Sequence, residues 1–174
     1  MIKIGVDITC YVELCDDNGW HIAPVKVENK YAYNDSDKWT WAQPWHGRDY
    51  ELFDILTDGH INIDSPRGLP SDVSDEVKAE RDRFRDEGLD FGLSLSCDSA
   101  YNDTYFTLFE LELALKNRKK FPKHYKYKDE FGNKVKEEGP HRSLKEFVTA
   151  ISNFADMCGY YDSTDVRVIL WLDR

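Results

Sequence analysis

The residues best suited to chemistry in this chain are suited to gripping an anion. Asp7, Thr9 and Tyr11 alternate along an apolar segment. A strand there sets all three on one face. Arg48 and Arg67 lie in two short motifs, Gly47-Arg48-Asp49-Tyr50 and Pro66-Arg67-Gly68-Leu69-Pro70. A guanidinium is a planar five-donor fork that matches phosphate or carboxylate. Trp39, Trp41 and Trp45 fall within seven residues and offer faces for a base or a nicotinamide-like ring. Each stacked base contributes roughly 1–3 kcal/mol. Asp7, Glu13 or Asp98 can accept from ribose hydroxyls or a base edge. His46, beside Gly47-Arg48, can serve as a donor or a general acid–base. The expected ligand site is therefore Asp7, Thr9, Tyr11, Trp39, Trp41, Trp45, His46, Arg48, Tyr50, Arg67 and Asp98, and the expected ligand is nucleotide-like. Each part also has a plainer reading. The arginines can pair with acids and loop carbonyls, the tryptophans can cover a sheet face, and Asp7 can be a satisfied buried acid.

Other chemistries are not signalled. The five histidines show no H-E-x-x-H or other metal spacing. Cys10, Cys15, Cys97 and Cys158 form no C-x-x-C, which argues against a zinc site or a disulfide framework. There is no P-loop, G-x-G-x-x-G or G-x-S-x-G. The expectation is no catalytic residue, no bound metal and no cofactor.

Several elements have to position these groups. Ile2 to Leu14 alternates apolar and polar residues and predicts a strand whose even positions face the core. Asp16-Asp17-Asn18-Gly19 is a turn, and Trp20 to Val27 predicts the returning strand of a hairpin. Tyr31 to His46 reads as irregular and aromatic. Asp49 caps a short helix over Tyr50 to Thr57, and Ser74 caps a charged helix to about Glu87 that is placed on the outside. Gly88 to Ser96 predicts a short strand. Thr107-x-x-Glu110 is a capping box before a Leu-rich helix over Leu108 to Asn117. Pro122 to Glu138 suits a polar hairpin. Ser143-x-x-Glu146 predicts a second box, leading a helix from Leu144 to Cys158 whose apolar residues recur at i, i+3 and i+4 until Gly159. Val166 to Leu172 predicts a buried strand beside the first. The expected fold is one α+β domain over residues 1–174. It has an antiparallel or mixed sheet opening with a β-hairpin, helices packed mainly on one face, and the C-terminal strand in the sheet.

Composition narrows the classes further. Of 174 residues, 41% are hydrophobic and 14% aromatic, enough to build a core rather than stay disordered. No apolar run reaches the ~18–20 residues that span a bilayer, and Met1 to Asp7 lacks a signal-peptide pattern. A cytoplasmic protein with no membrane partner is expected. The net charge of −10 is uneven. Lys116 to Lys128 holds seven basic residues and no acidic one, leaving 16 basic and 33 acidic residues elsewhere. That island suits an anion or an acidic partner, or else a solvated helix end. The acidic remainder opposes extended nucleic acid.

Three stretches carry a resemblance. They are Gly5-Val6-Asp7-Ile8-Thr9 with Tyr11-Val12-Glu13 and Trp20; Gly47-Arg48-Asp49-Tyr50-Glu51-Leu52-Phe53-Asp54-Ile55-Leu56; and Pro66-Arg67-Gly68-Leu69-Pro70-Ser71-Asp72-Val73-Ser74. Ser96-Cys97-Asp98-Ser99 leading into Thr107-Leu108 is a weaker match. Together they resemble a family of small bacteriophage and prophage proteins that open on a Gly-Cys-Asp-Ile-His motif. The resemblance covers roughly the first 110 residues and implies a phage setting in the host bacterial cytoplasm, with no particular reaction. The family's Asp-x-His reads Asp7-Ile8-Thr9 here, and a later His-Ser reads Asp98-Ser99. The loss of that His weakens a metal-hydrolase reading and favours binding without turnover. The expected function is sequestration of a nucleotide-derived host immune signal by a homo-oligomer acting in counter-defence. The alternatives are a metal-dependent phosphoesterase or nucleotide hydrolase using Asp7, His46 and Asp98, and an acidic protein–protein inhibitor of a host enzyme.

Overall fold

The computed structural model describes residues 7–32, 34–49, 52, 55–56, 66–90, 100–117, 125–128, 131–132, 134–137 and 141–173. Nine strands and three helices lie among them. They are β1 (Asp7–Asp16), β2 (Gly19–Ile22), β3 (Lys26–Glu28), β4 (Trp39–Trp41), β5 (His46–Gly47), α1 (Asp75–Asp90), β6 (Ala100–Thr107), α2 (Leu108–Lys116), β7 (Tyr125–Lys128), β8 (Lys134–Glu137), α3 (His141–Met157) and β9 (Val166–Asp173). The fold is α+β, as the patterning predicts. β9 is central in the main sheet, antiparallel to β1 on one side and β6 on the other. The far edge of β1 carries β2 along Glu13 to Asp16 and β5 along Ile8 and Thr9. Two small antiparallel ribbons, β3–β4 and β7–β8, stand outside this sheet.

Period-two patterning explains the first core. Ile8, Cys10, Val12 and Leu14 turn to the face covered by α2 and α3, with Phe106, Val168 and Leu170 from neighbouring strands. α3 presents Leu144, Phe147, Val148, Ile151 and Ala155 to it, the stripe its sequence predicts. Burying each large apolar side chain contributes roughly 1.5–3 kcal/mol. Gly159 stops α3 at φ +84, a conformation that side-chain-bearing residues rarely adopt. The Thr107–Glu110 capping box forms at the start of α2, with both reciprocal hydrogen bonds present.

The other face is also covered, by α1. The predicted position outside the fold therefore holds only for part of that helix. Val77 is buried against Tyr11, Ile22, Ile169 and Trp171, and Arg81 is buried one turn further along. A charged helix can do this because Arg81 remains paired. Its Nε donates to Asp103 Oδ1 at 2.6 Å, and its guanidinium lies over the Trp171 ring. Glu13 and Arg167 complete this layer. Arg167 Nε donates to Glu13 Oε2 at 2.6 Å, and its Nη1 donates to Asp72 Oδ1 at 2.7 Å. Glu13 Oε1 also accepts from Ser74 N at the start of α1.

Several boundaries differ from expectation. The returning hairpin strand ends at Ile22 rather than Val27. Pro24 has no N–H to continue the ladder, and the chain peels away into β3. Tyr31 to His46 is more ordered than predicted and contains a 3-10 turn at Asp35–Asp37 as well as β4. α1 extends to Asp90, beyond the expected Glu87 and over the start of the strand predicted at Gly88. The remainder of that predicted strand lies outside the described residues. Strand β6 has no counterpart among the predicted elements. α3 starts at His141, so Ser143 stands inside its first turn. The cap on the short helix is present, since Asp49 Oδ1 accepts from Leu52 N, although most of that helix lies outside the described residues.

Candidate functional site

Register decides which predicted residues meet. β5 pairs Ile8 with Gly47 and Thr9 with His46. Opposed residues share a face, so His46 joins the face of Asp7, Thr9 and Tyr11. Gly47 takes φ +111 to turn the chain there. Arg48 then reaches Asp7, its Nε donating to Oδ1 at 2.9 Å, with half or more of the Arg48 side chain exposed. Arg48 makes no other hydrogen bond among the described residues. His46 is exposed and Thr9 buried beside it. The corner of β1 and β5 thus gathers Asp7, Thr9, His46 and Arg48.

Tyr11 continues this face but is buried under α1. Its ring packs on Trp171 with centroids 5.6 Å apart, and its hydroxyl bonds Glu80 and Gln43. Burial, with the Glu80 carboxylate beside it, pushes its phenol above the ordinary tyrosine range. The three tryptophans part company. Trp45 turns to the opposite face and meets Phe147 edge-on at 5.7 Å. Trp41 packs in the second layer, with Lys26 Nζ 4.2 Å over its ring. Trp39 is exposed on the β3–β4 ribbon.

Arg67 also lies elsewhere. Its Nη2 donates to Glu110 Oε1 at 2.8 Å, and its guanidinium stacks over Tyr105 and Phe106. Partial burial pushes the Glu110 carboxyl up, but the bonds from Arg67 and Thr107 outweigh this and hold it below the usual range. The segment carrying Arg67 runs along β6, with Gly68 N donating to Asp103 O. Tyr50 and Asp98 lie outside the described residues.

The buried Glu13–Arg167 pair and the partly buried Arg81–Asp103 pair leave no mark in the hydropathy pattern, which scores a paired charge as if it were exposed. A groove of about 590 Å³ between α2 and α3, lined by Glu112, Leu115, Lys116, Val148, Thr149, Ser152 and Asn153, contains none of the predicted ligand residues. Among the described residues, no group of three or more His, Cys, Asp or Glu side chains is placed to hold a metal. No described helix is long and apolar enough to cross a membrane. No family model, curated protein or solved structure matches the chain.

Proposed function

We propose that this chain is a phage binding protein that sequesters a small nucleotide-derived host signal without turning it over. The observation that supports this is the β1–β5 corner. There the Asp7 carboxylate holds the Arg48 fork through Nε alone, beside an exposed His46. A guanidinium so oriented can offer its Nη donors to a phosphate. The family resemblance supplies the setting, and a homo-oligomer in the host cytoplasm belongs to the same proposal. Calorimetry with a panel of cyclic and ADP-ribose-type nucleotides tests it. At least one nucleotide should bind, and Arg48→Ala should weaken it at least tenfold while the protein stays folded. No binding by the folded protein to any of the panel would sink the proposal.

One observation favours the protein-inhibitor alternative. Tyr31 and Trp39 stand exposed near Glu28, Asp35 and Asp37. Exposed aromatics are frequent interface anchors, and acidic neighbours steer a basic partner. Capture of one host protein that high salt and Trp39→Ala both release would support it.

A further inference from the structure

The basic island singled out in the sequence ends in β7, and β8 adds Lys134 and Lys136 beyond it. Their antiparallel register pairs Tyr125 with Glu137, Lys126 with Lys136, Tyr127 with Val135, and Lys128 with Lys134. Directly opposed residues share a face, and successive residues alternate. Lys126, Lys128, Lys134 and Lys136 therefore occupy one face of the ribbon, and Tyr125, Tyr127, Val135 and Glu137 occupy the other. Every lysine on that face stands opposite another lysine.

Like charges directly opposed weaken a strand pair. A two-stranded ribbon is marginal to begin with. An anion bridging the four positions reverses this penalty. Those positions form a rectangle about 5 Å across the strands and about 7 Å along them. Adjacent phosphoryl groups arrive covalently clustered at this scale. The carboxylates of an acidic protein surface must be gathered against their own repulsion. The tyrosines fall on the opposite face, so no aromatic platform accompanies the lysines, and recognition is by charge. Beyond the ~8 Å screening length at physiological salt, the acidic remainder of the chain contributes little field.

We propose that the four-lysine face of the β7–β8 ribbon binds the phosphate chain of a small anion carrying two or more adjacent phosphoryl groups. This site is independent of the β1–β5 corner.

The test is calorimetry on the full chain with inorganic tripolyphosphate, a nucleoside triphosphate, inorganic monophosphate and poly-glutamate. Tripolyphosphate should bind at least tenfold more tightly than monophosphate and poly-glutamate, and rising salt should weaken it. The double variants K126Q/K136Q and K128Q/K134Q should each lose at least tenfold, whereas K78Q/K145Q should leave binding unchanged. Equal affinity for tripolyphosphate and the nucleoside triphosphate assigns recognition to the phosphate chain alone. A clear preference for the latter would overturn recognition by charge at this ribbon. No tripolyphosphate binding, unchanged affinity in both lysine variants, or equally tight poly-glutamate binding overturns the proposal. Amide exchange on the unaltered protein guards against variants that fail to fold. Protection at Tyr125 to Lys128 should rise with tripolyphosphate, and no change in protection counts against the site.

Discussion

Replacing Glu13 by alanine should be among the most damaging single changes to this protein. The Glu13 side chain is fully buried, and it accepts from Arg167 Nε at 2.6 Å and Ser74 N at 2.7 Å. The substitution leaves Arg167, itself 4% exposed, with the largely exposed Asp72 as its one acidic partner among the described residues. Breaking a buried pair from one side costs about 3–5 kcal/mol, because a desolvated charge is left behind. That is a large share of the ~5–15 kcal/mol that holds a typical domain together. With a urea slope of about 2 kcal/mol per molar, the unfolding midpoint should fall by about 1.5–2.5 M. Equilibrium urea unfolding followed by tryptophan fluorescence reads this directly. A second arm sharpens it. E13L/R167M removes both charges and should recover most of the loss, since apolar replacement of a whole buried pair is often neutral or stabilising. A cost below about 1 kcal/mol for E13A, or single-variant costs that simply add in the E13A/R167A double variant, would refute the coupling.

Other outcomes follow from the same packing. Trp45→Ala should cost about 3 kcal/mol, because the ring fills space against Phe147, whereas Trp39→Ala should move stability by less than about 0.5 kcal/mol; thermal melts of both separate core from surface. Thr107→Ala should cost about 1 kcal/mol by opening the capping box of α2, read by chemical denaturation. Burial pushes the Cys10 thiol up to about 12. From about pH 8.5, where an unfolded thiol ionises, the unfolded chain releases a proton that the folded chain keeps. Stability should therefore fall as pH rises toward 12, by up to about 1.4 kcal/mol per unit from this group, and Cys10→Ala should flatten the slope in pH-dependent urea titrations.

Much of the fold was legible because its strongest elements follow a single period. β1 alternates, β9 is apolar without a break from Val168 to Leu172, and α3 repeats at 3.6 residues. The sequence pattern carries no β6 because Asn102 and Asp103, residue types that favour turns, interrupt it. Asn102 indeed sits at φ +57 within a register shift, so the strand bends where its sequence suggests a loop. The second layer escaped because α1 buries an arginine rather than an apolar stripe. At the candidate site, the shared face of Asp7, Thr9 and Tyr11 was readable from alternation. Its meeting with Arg48 was not, because β5 is only two residues long and the Asp7–Arg48 contact it permits spans 41 residues. Arg67 and Trp45 took the plainer roles that the sequence had left open.

The pairing of β1 with β9 also dictates when this protein can fold. Glu13 and its partner Arg167 are 154 residues apart. At translation speeds of ~5–20 residues per second, β1 leaves the ribosome roughly 8–30 s before the strand that completes its ladder. During that wait, Ile8, Cys10, Val12 and Leu14 lie on one side, Tyr11 on the other, and one whole edge has open amides. Such a segment invites pairing with another nascent chain. The hairpin to β2 blunts part of the opposite edge in the meantime. Newly made protein should therefore depend on holding chaperones more than its modest size suggests, and slowing synthesis after β1 should lower soluble yield.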